Sequence, residues 1–387
     1  MSYPLIPLGQ LAKFINGDRG KNYPSKDSFV DAGIPFINAG CLSDEWVLDS
    51  SKFNYISEEA YDRLSSGKIQ KNDILFCLRG SVGKFAVIRD DNKGALASSL
   101  VILRGNDKVD VEYLKHYLAS SLCTKELDNY QNGAAQPNLS ANDFKKFLVP
   151  LPPLSEQRRI AAILDQADEL RQKRQKAIEK LDQLLQSTFY DYFGDPIQNT
   201  KGFPLKDFKS IIKFTGGSQP PKSIFSDTCK EGYVRLVQIR DFRTDKYLTF
   251  IPKDSARRFF KRNDVMIGRY GPPVFQILRG LEGAYNVALM KAEPKAELDN
   301  DFLFYLLAVQ SIQQLVIANS QRSAGQTGVN LEFLNNLVIG VPPLELQKVW
   351  AKIALKIEDQ KQNLYKQLNI QNQLFSSLQN QAFNGTL

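Results

Sequence analysis

Pro152-Pro153-Leu154-Ser155-Glu156-Gln157 and Pro342-Pro343-Leu344-Glu345-Leu346-Gln347 stand 190 positions apart, and the likeness spreads outward from both. Upstream, Gln136, Leu139, Phe144, Phe147 and Val149 match Gln326, Val329, Leu334, Leu337 and Ile339 at that same offset of 190. Downstream it carries Leu184 to Leu374, Ser187 to Ser377, Phe193 to Phe383 and Gly194 to Asn384. Further upstream the offset drifts. Asp110-Val111-Glu112-Tyr113-Leu114 pairs with Asp299-Asn300-Asp301-Phe302-Leu303, Lys71-Asn72-Asp73-Ile74-Leu75 with Arg262-Asn263-Asp264-Val265-Met266, and Pro7-Leu8 reads as an echo of Pro204-Leu205. The chain is a tandem duplication. Its constant-offset part tolerates no insertion, and its drifting part varies, which is what a modular reader needs.

The constant part reads as helix. Ser155 is a plausible N-cap, and from Ile160 through Ile163, Ala167, Leu170, Arg174, Ala177, Leu181, Leu184 and Thr188 the steps alternate between three and four residues. Gly194 and Pro196 supply a stop. The second copy gives Trp350, Ile353, Ile357, Gln360, Leu364, Gln367, Gln371, Leu374 and Leu378. Each helix is about 36 residues, or roughly 54 Å, and a long helix with one apolar stripe needs a partner. The other copy is the nearest one. Antiparallel pairing would place a head at each end and give an approximate two-fold axis, with Arg174 and the seam glutamines fixing register. Arg158, Arg159, Arg171, Lys173, Lys176 and Lys180 fall off the seam and read as a solvated face.

The fold class expected is α+β: two mixed heads separated by a two-helix antiparallel coiled coil. The boundaries are 1–150 for the first head, 151–195 for the first helix, 196–340 for the second head and 341–387 for the second helix. A length of 387 residues suits two domains, and 43% hydrophobic residues suffice for real cores. Strand-like runs such as Ile34–Ile37 and Phe85–Ile88 precede a helix expected over Val111–Leu122, with Phe302–Val316 as its counterpart. Cys41, Cys77, Cys123 and Cys229 form no C-x-x-C pair and read as core thiols; His116, the one histidine, reads as a packed or surface residue rather than a catalytic one. No apolar run is long enough to span a membrane, and Met1–Ile6 is no secretory start, so a cytoplasmic protein is expected. A net charge of +8 suits a polyanionic partner.

The run from Pro150 to Asp165, Pro-Leu-Pro-Pro-Leu-Ser-Glu-Gln-Arg-Arg-Ile-Ala-Ala-Ile-Leu-Asp, together with Leu184–Asp195, resembles the conserved-region motif of type I restriction–modification specificity subunits. The likeness covers the whole chain as head, helix, head, helix. The second copy departs from it, with Leu344-Glu345-Leu346-Gln347-Lys348-Val349-Trp350 in place of the Ser-Glu-Gln-Arg-Arg form. The resemblance implies a non-catalytic subunit that reads a bipartite double-stranded DNA site, each head taking one half and the helices setting the spacer. It also implies two methyltransferase subunits as partners, joined by restriction subunits with translocase activity. S-adenosylmethionine for adenine methylation, ATP and magnesium would belong to those partners, with no cofactor or metal in this chain.

Base-reading side chains belong on loops, because phosphate contacts position a protein and base-edge contacts specify. In the first head the candidates are Arg19 and Lys21 of the loop Asn16–Pro24, and Arg79, Ser81 and Lys84 of the turn Arg79–Lys84. In the second they are Gln219 and Lys222 of Thr215–Lys222, Arg240, Arg243, the pair Arg269-Tyr270 matching the Arg79 turn, and Arg322. Arg235, Arg257, Arg258, Lys261 and Arg262 add charge. Arginine pairs bidentately with guanine, and glutamine or asparagine with adenine. The late loops Gly133–Asn138 and Ser323–Gly328 recur in both copies, and a shared feature reads as structural or backbone-binding rather than sequence-reading.

Two enzyme readings fail on pattern, while a nuclease's carboxylates with a nearby lysine form too weak a sequence signal to decide. Gly80-Ser81-Val82-Gly83-Lys84-Phe85 has two residues between its glycines where a phosphate loop has four, and Phe85 stands where magnesium needs a hydroxyl. No proline pair has the Asn/Asp-Pro-Pro-aromatic form that adenine methyltransferases use at the target base. The rival of another class is a coiled-coil scaffold or RNA-binding adaptor.

Overall fold

Ile74–Cys77 is apolar at every position, and it becomes a strand buried on both faces: Ile74 and Phe76 join one core cluster, Leu75 and Cys77 another. It sits in a four-stranded antiparallel sheet ordered Ala12–Asn16, Leu100–Gly105, Ile74–Cys77, Phe85–Val87. A three-stranded sheet runs Asn54–Ile56, Ile34–Ile37, Ala95–Leu96, its last pair parallel. The computed structural model describes residues 3–130, 138–271, 273–323 and 326–387. It divides into two units, Met1–Lys176 with Tyr365–Leu387, and Ala177–Leu364. Each unit holds one head with part of both long helices.

The second head repeats the plan. Ile212–Gly216, Leu289–Pro294, Val265–Gly268 and Gln276–Leu278 form its antiparallel sheet. Phe250–Pro252, Tyr233–Val237, Gly283–Tyr285 and Phe259–Phe260 form the other, again with one parallel pair. Each head is closed by a two-stranded ribbon, Leu5–Pro7 with Leu148–Pro150 and Leu205–Asp207 with Val338–Gly340. That ribbon corrects one expected echo: Leu5 pairs with Pro150 as Leu205 pairs with Gly340, so Pro4-Leu5, not Pro7-Leu8, is the counterpart of Pro204-Leu205.

The single helices expected after each sheet are broken pairs, Val111–Leu118 with Ser121–Tyr130 and Asn300–Ala308 with Gln310–Ala318. Asp110 and Asp299 cap the first of each pair, accepting from two backbone N–H groups of the opening turn.

The long helices are Leu154–Phe193 and Leu344–Asn384. The first begins one residue before Ser155, which is therefore inside the helix and not its cap. Gly194 and Gly385 follow the helix ends in the left-handed region, at φ +65° and +75°. Pairing is antiparallel within each unit. In the first, Arg159 reaches the Leu387 carbonyl, Arg171 donates to Asn372 at 2.7 Å, and Arg174 donates to Gln367. In the second, Lys361 pairs with Asp182 at 2.6 Å and Trp350 packs on Phe189.

The buried face differs from the expected seam. Leu170, Leu184 and Leu374 are 56%, 46% and 58% exposed, whereas Leu164, Asp168, Ile178 and Phe375 are buried. The reason is that each helix packs against a head as well as its partner, which widens and turns the buried stripe. Leu164 and Ala161, for example, join the core of the first head. Arg171, expected on a solvated face, lies in the interface: its guanidinium sits 4.4 Å from the Phe375 ring centre and pairs with buried Asp168.

The core of the first unit joins Tyr113, Tyr117, Phe144 and Phe147 of the head to Ile160 and Leu164 of one long helix and Phe375 and Phe383 of the other. The second joins Phe208, Phe302 and Leu306 to Phe189, Phe193 and Trp350. Fully burying one such side chain contributes about 1.5–3 kcal/mol. Cys41, Cys77 and Cys123 are core residues as expected; Cys229, in an exposed loop, is not.

Candidate nucleic-acid interface

Glycine brings the early loops against the sheets. At Gly17 a Cβ would lie 2.7 Å from the Leu96 carbonyl oxygen, and at Gly217 2.0 Å from that of Asn286, so both loops hug the parallel strand pair at a place only glycine fits. In the first head the loop is held by Asp18, whose carboxylate accepts from Gly20 N at 2.8 Å, Ser65 N at 2.9 Å and Ser65 Oγ at 2.8 Å. The Gly20 bond, then those from Ser65, holds its pKa below the usual carboxylate range. Beyond this clip Arg19 and Lys21 are exposed, and Arg19 donates to the Ser98 carbonyl at 3.2 Å.

The adjoining Ser99 carbonyl accepts from Leu78 N at 3.0 Å, so the Arg19 loop and the Arg79 turn meet on the same short segment. Arg79 itself makes an antiparallel bridge with Asn138. Ser81 is exposed, and Lys84 pairs with Asp44 at 2.8 Å. Exposed ion pairs of this kind hold weakly, leaving the lysine available to a phosphate.

In the second head Gln219 and Lys222 line a cavity of about 520 Å³ whose other walls include Phe225, Leu236, Gln238 and Asn286. Arg269 stacks on Tyr270, guanidinium to ring centre 5.3 Å, and its Nη1 lies 3.5 Å from where a Gly216 Cβ would stand. Tyr270 bridges Gly328. Arg243 donates to Gln276 at 2.6 Å, and Gln276 pairs across the sheet with Gly268, the residue before Arg269. The structure thus gathers Arg243, Arg269 and Tyr270 with the early loop.

Arg240 is set apart. It lies 5.6 Å from the Tyr247 ring centre, donates to the Tyr247 carbonyl at 3.3 Å and is 3.8 Å from buried Asp241, which Arg235 approaches from another side. Burial pushes the Asp241 carboxyl up, opposed by the Gln238 backbone bond and the two arginines. Arg322 lies in the strand Gln321–Ser323, and its side chain is outside the described residues, as are Gly133–Pro137 and Ala324-Gly325 of the late loops.

Sequence reasoning missed Gln238, Gln276 and Asn286. Gln238 and Asn286 follow the parallel strands, at the edge where the early loop docks; only the strand order reveals that. The sequence matches Arg269-Tyr270-Gly271 to the Arg79 turn without fixing the register within it. The bridges fix that register, making Tyr270 the counterpart of Arg79 and buried Leu78 that of Arg269. Among the described residues no three His, Cys, Asp or Glu side chains are grouped to hold a metal ion, and no single helix is long and apolar enough to cross a membrane.

The model of the type I restriction modification DNA specificity domain matches this chain twice, over residues 5–180 and 197–374. The MjaVIII type I restriction enzyme specificity subunit of Methanocaldococcus jannaschii is 25% identical over 396 aligned residues, covering 92% of this chain and 86% of its own. Among solved structures, the type I S subunit from M. genitalium superposes with TM-score 0.58 at 16% identity, covering 99% of this chain and 96% of its own. A chain from a study of complex assembly and conformational transition of a type I system also gives 0.58, at 18% identity, covering 100% and 98%. At these identities the solved structures bear on the fold alone.

Proposed function

The chain belongs to the type I restriction–modification DNA specificity family, with two recognition domains, and from that we propose that each head reads one half of a bipartite duplex site while the paired helices set the unread spacer. The observation that carries the reading is the construction of one head twice, each with its own exposed loops, on helices that pair antiparallel. A duplicated reader suits two short sequences read together, as symmetric DNA-binding dimers do. Arg19, Lys21, Arg79, Ser81 and Lys84 would face one half-site. Gln219, Lys222, Arg243, Arg269, Tyr270 and Arg322 would face the other, with Arg240 and the late loops contributing backbone contacts at most.

Partner docking fits the long helices. Leu170, Ile370 and Leu374 in the first unit and Leu184, Val349 and Leu355 in the second are exposed apolar residues that neither core uses. We assign them to methyltransferase subunits, one per half, with restriction subunits joining that core in the cytoplasm. Catalysis, S-adenosylmethionine, ATP and magnesium then belong to those partners, and this chain supplies no reacting group. An electrophoretic competition tests the DNA reading. The protein, assembled with its methyltransferase partner, should be displaced by host genomic duplex in preference to an equal mass of structured RNA. Preference for RNA, or indifference, would support an RNA adaptor or scaffold.

A further inference from the structure

Resting on that two-reader function, we infer that Arg79 and Tyr270 are equivalent specificity-determining positions, one per head, each presenting its side chain to a base edge of its own half-site.

The backbone frame is the same in both. Leu78 donates to the Ser99 carbonyl at 3.0 Å and accepts from Leu139 N at 2.9 Å. Arg269 donates to the Ala288 carbonyl at 2.8 Å and accepts from Val329 N at 3.0 Å. One residue on, Arg79 bridges Asn138 and Tyr270 bridges Gly328. Gly80 and Gly271 follow at φ +80° and +95°, and a Cβ at either would meet nothing within 4 Å. Each turn is therefore pinned at its base and open at its tip, so a side chain there is aimed without being enclosed. Rigid aim is what sequence reading requires.

The side chains diverge where the frame does not. Positions kept for folding keep their chemistry: Gln157 and Gln347, or Asp110 and Asp299, make matching bonds. Arg79 and Tyr270 share a backbone and nothing else, as expected for heads that read different sequences. Arg79 is exposed and has no ion-pair partner among the described residues, which leaves its guanidinium free for guanine O6 and N7. Tyr270 is braced by Gly328, where an added Cβ would come within 2.9 Å of its ring, and by the Arg269 guanidinium. A phenol offers one hydroxyl and an apolar edge, which suits a thymine methyl group and not the bidentate guanine pattern.

The test is to map methylated motifs in host cells carrying the complete system with wild-type, Arg79→Ala or Tyr270→Arg chains. Arg79→Ala should relax preference at one guanine-containing pair about ten-fold or more, with the other half-site and spacer unchanged. Tyr270→Arg should alter one position in the opposite half. The unaltered half-site reports in each case that the variant folds. Uniformly weaker methylation with both half-sites intact would make these phosphate contacts and overturn the inference, as would changes from both variants in the same half. A continuous wild-type motif would instead remove the two-reader function on which the inference stands.

Discussion

The side-chain oxygen of Gln157 accepts a hydrogen bond from the backbone N–H of Asp110 at 2.8 Å, and Gln347 repeats that bond to Asp299 at 2.8 Å. The amide nitrogen of Gln157 donates to the carbonyls of Lys108 and Pro152 at 3.0 and 2.9 Å; that of Gln347 donates to Glu297 and Pro342 at 3.0 and 2.8 Å. One buried amide thus ties the first turn of each long helix to the segment entering the helical pair of its head. This is the physical content of the repeated glutamine after Pro-Pro-Leu.

Gln157→Ala should leave a buried N–H and two carbonyls short of a partner and destabilise the protein by about 1–3 kcal/mol. Gln157→Glu should cost more at neutral pH, because a carboxylate oxygen would face two carbonyls, and should recover part of the loss as the acid is protonated. Urea denaturation of both variants at pH 7 and pH 5 checks the order at neutral pH and the narrowing of the gap in acid.

His116 makes the first unit acid-sensitive. Its imidazole lies buried between Trp46 and Phe375, with Nε2 2.8 Å from Asp165 Oδ1. Burial pushes its pKa below the usual 6.5, against the Asp165 bond, and Lys115 pushes the same way as burial. For Asp165 burial acts upward, yet the bonds from His116 and Lys115 bring it down to about 2. The unfolded chain therefore takes up a proton at His116 near pH 6.5 that the folded chain refuses. Stability present above that pH falls as the pH drops below it, and falls again as the solution passes from about 3.8 toward 2 and Asp165 is protonated. His116→Asn should flatten the dependence of Tm on pH between 7 and 5.

Arg171 and Lys173 separate an interface cation from a surface one. Arg171→Ala removes the guanidinium from Asp168, Asn372 and the Phe375 ring, and should cost about 2 kcal/mol or more. Among the described residues Lys173 is ion-paired only with Glu169, both side chains mostly exposed, so Lys173→Ala should change stability by no more than about 0.5 kcal/mol. Denaturation midpoints of the two variants decide it.

Lys222 should act as a phosphate contact. It is exposed beside the early loop of the second head. Lys222→Ala should weaken DNA binding alike for all sequences and reduce the slope of log K against log salt by about one. Anisotropy titrations over a salt series give that slope.

Much of this was legible in the sequence because duplication prints the architecture twice. The offset of 190 located both long helices to within a few residues, and the drift upstream marked the heads. The seam was misplaced because a 3.5-residue period records that a helix has a partner, but not that a head also covers it. Leu164 and Asp168 are buried on that account, while Leu170 is left exposed. Candidate contacts were found as cations on glycine-rich loops. The equivalence of Arg79 with Tyr270 was hidden, since it lives in a backbone bridge that carries no side-chain signature. What no loop cation shows in the sequence is its neighbours: Arg240, itself exposed, lies against the Tyr247 ring and beside the buried Asp241 carboxylate.

The most direct measurement is the methylated motif of the intact system in its host, read base by base across the genome. Two short specified blocks separated by a run of unspecified bases of constant length is the predicted result. A single uninterrupted motif, or blocks whose separation varies from site to site, would contradict the proposed reading of one half-site by each head across an unread spacer.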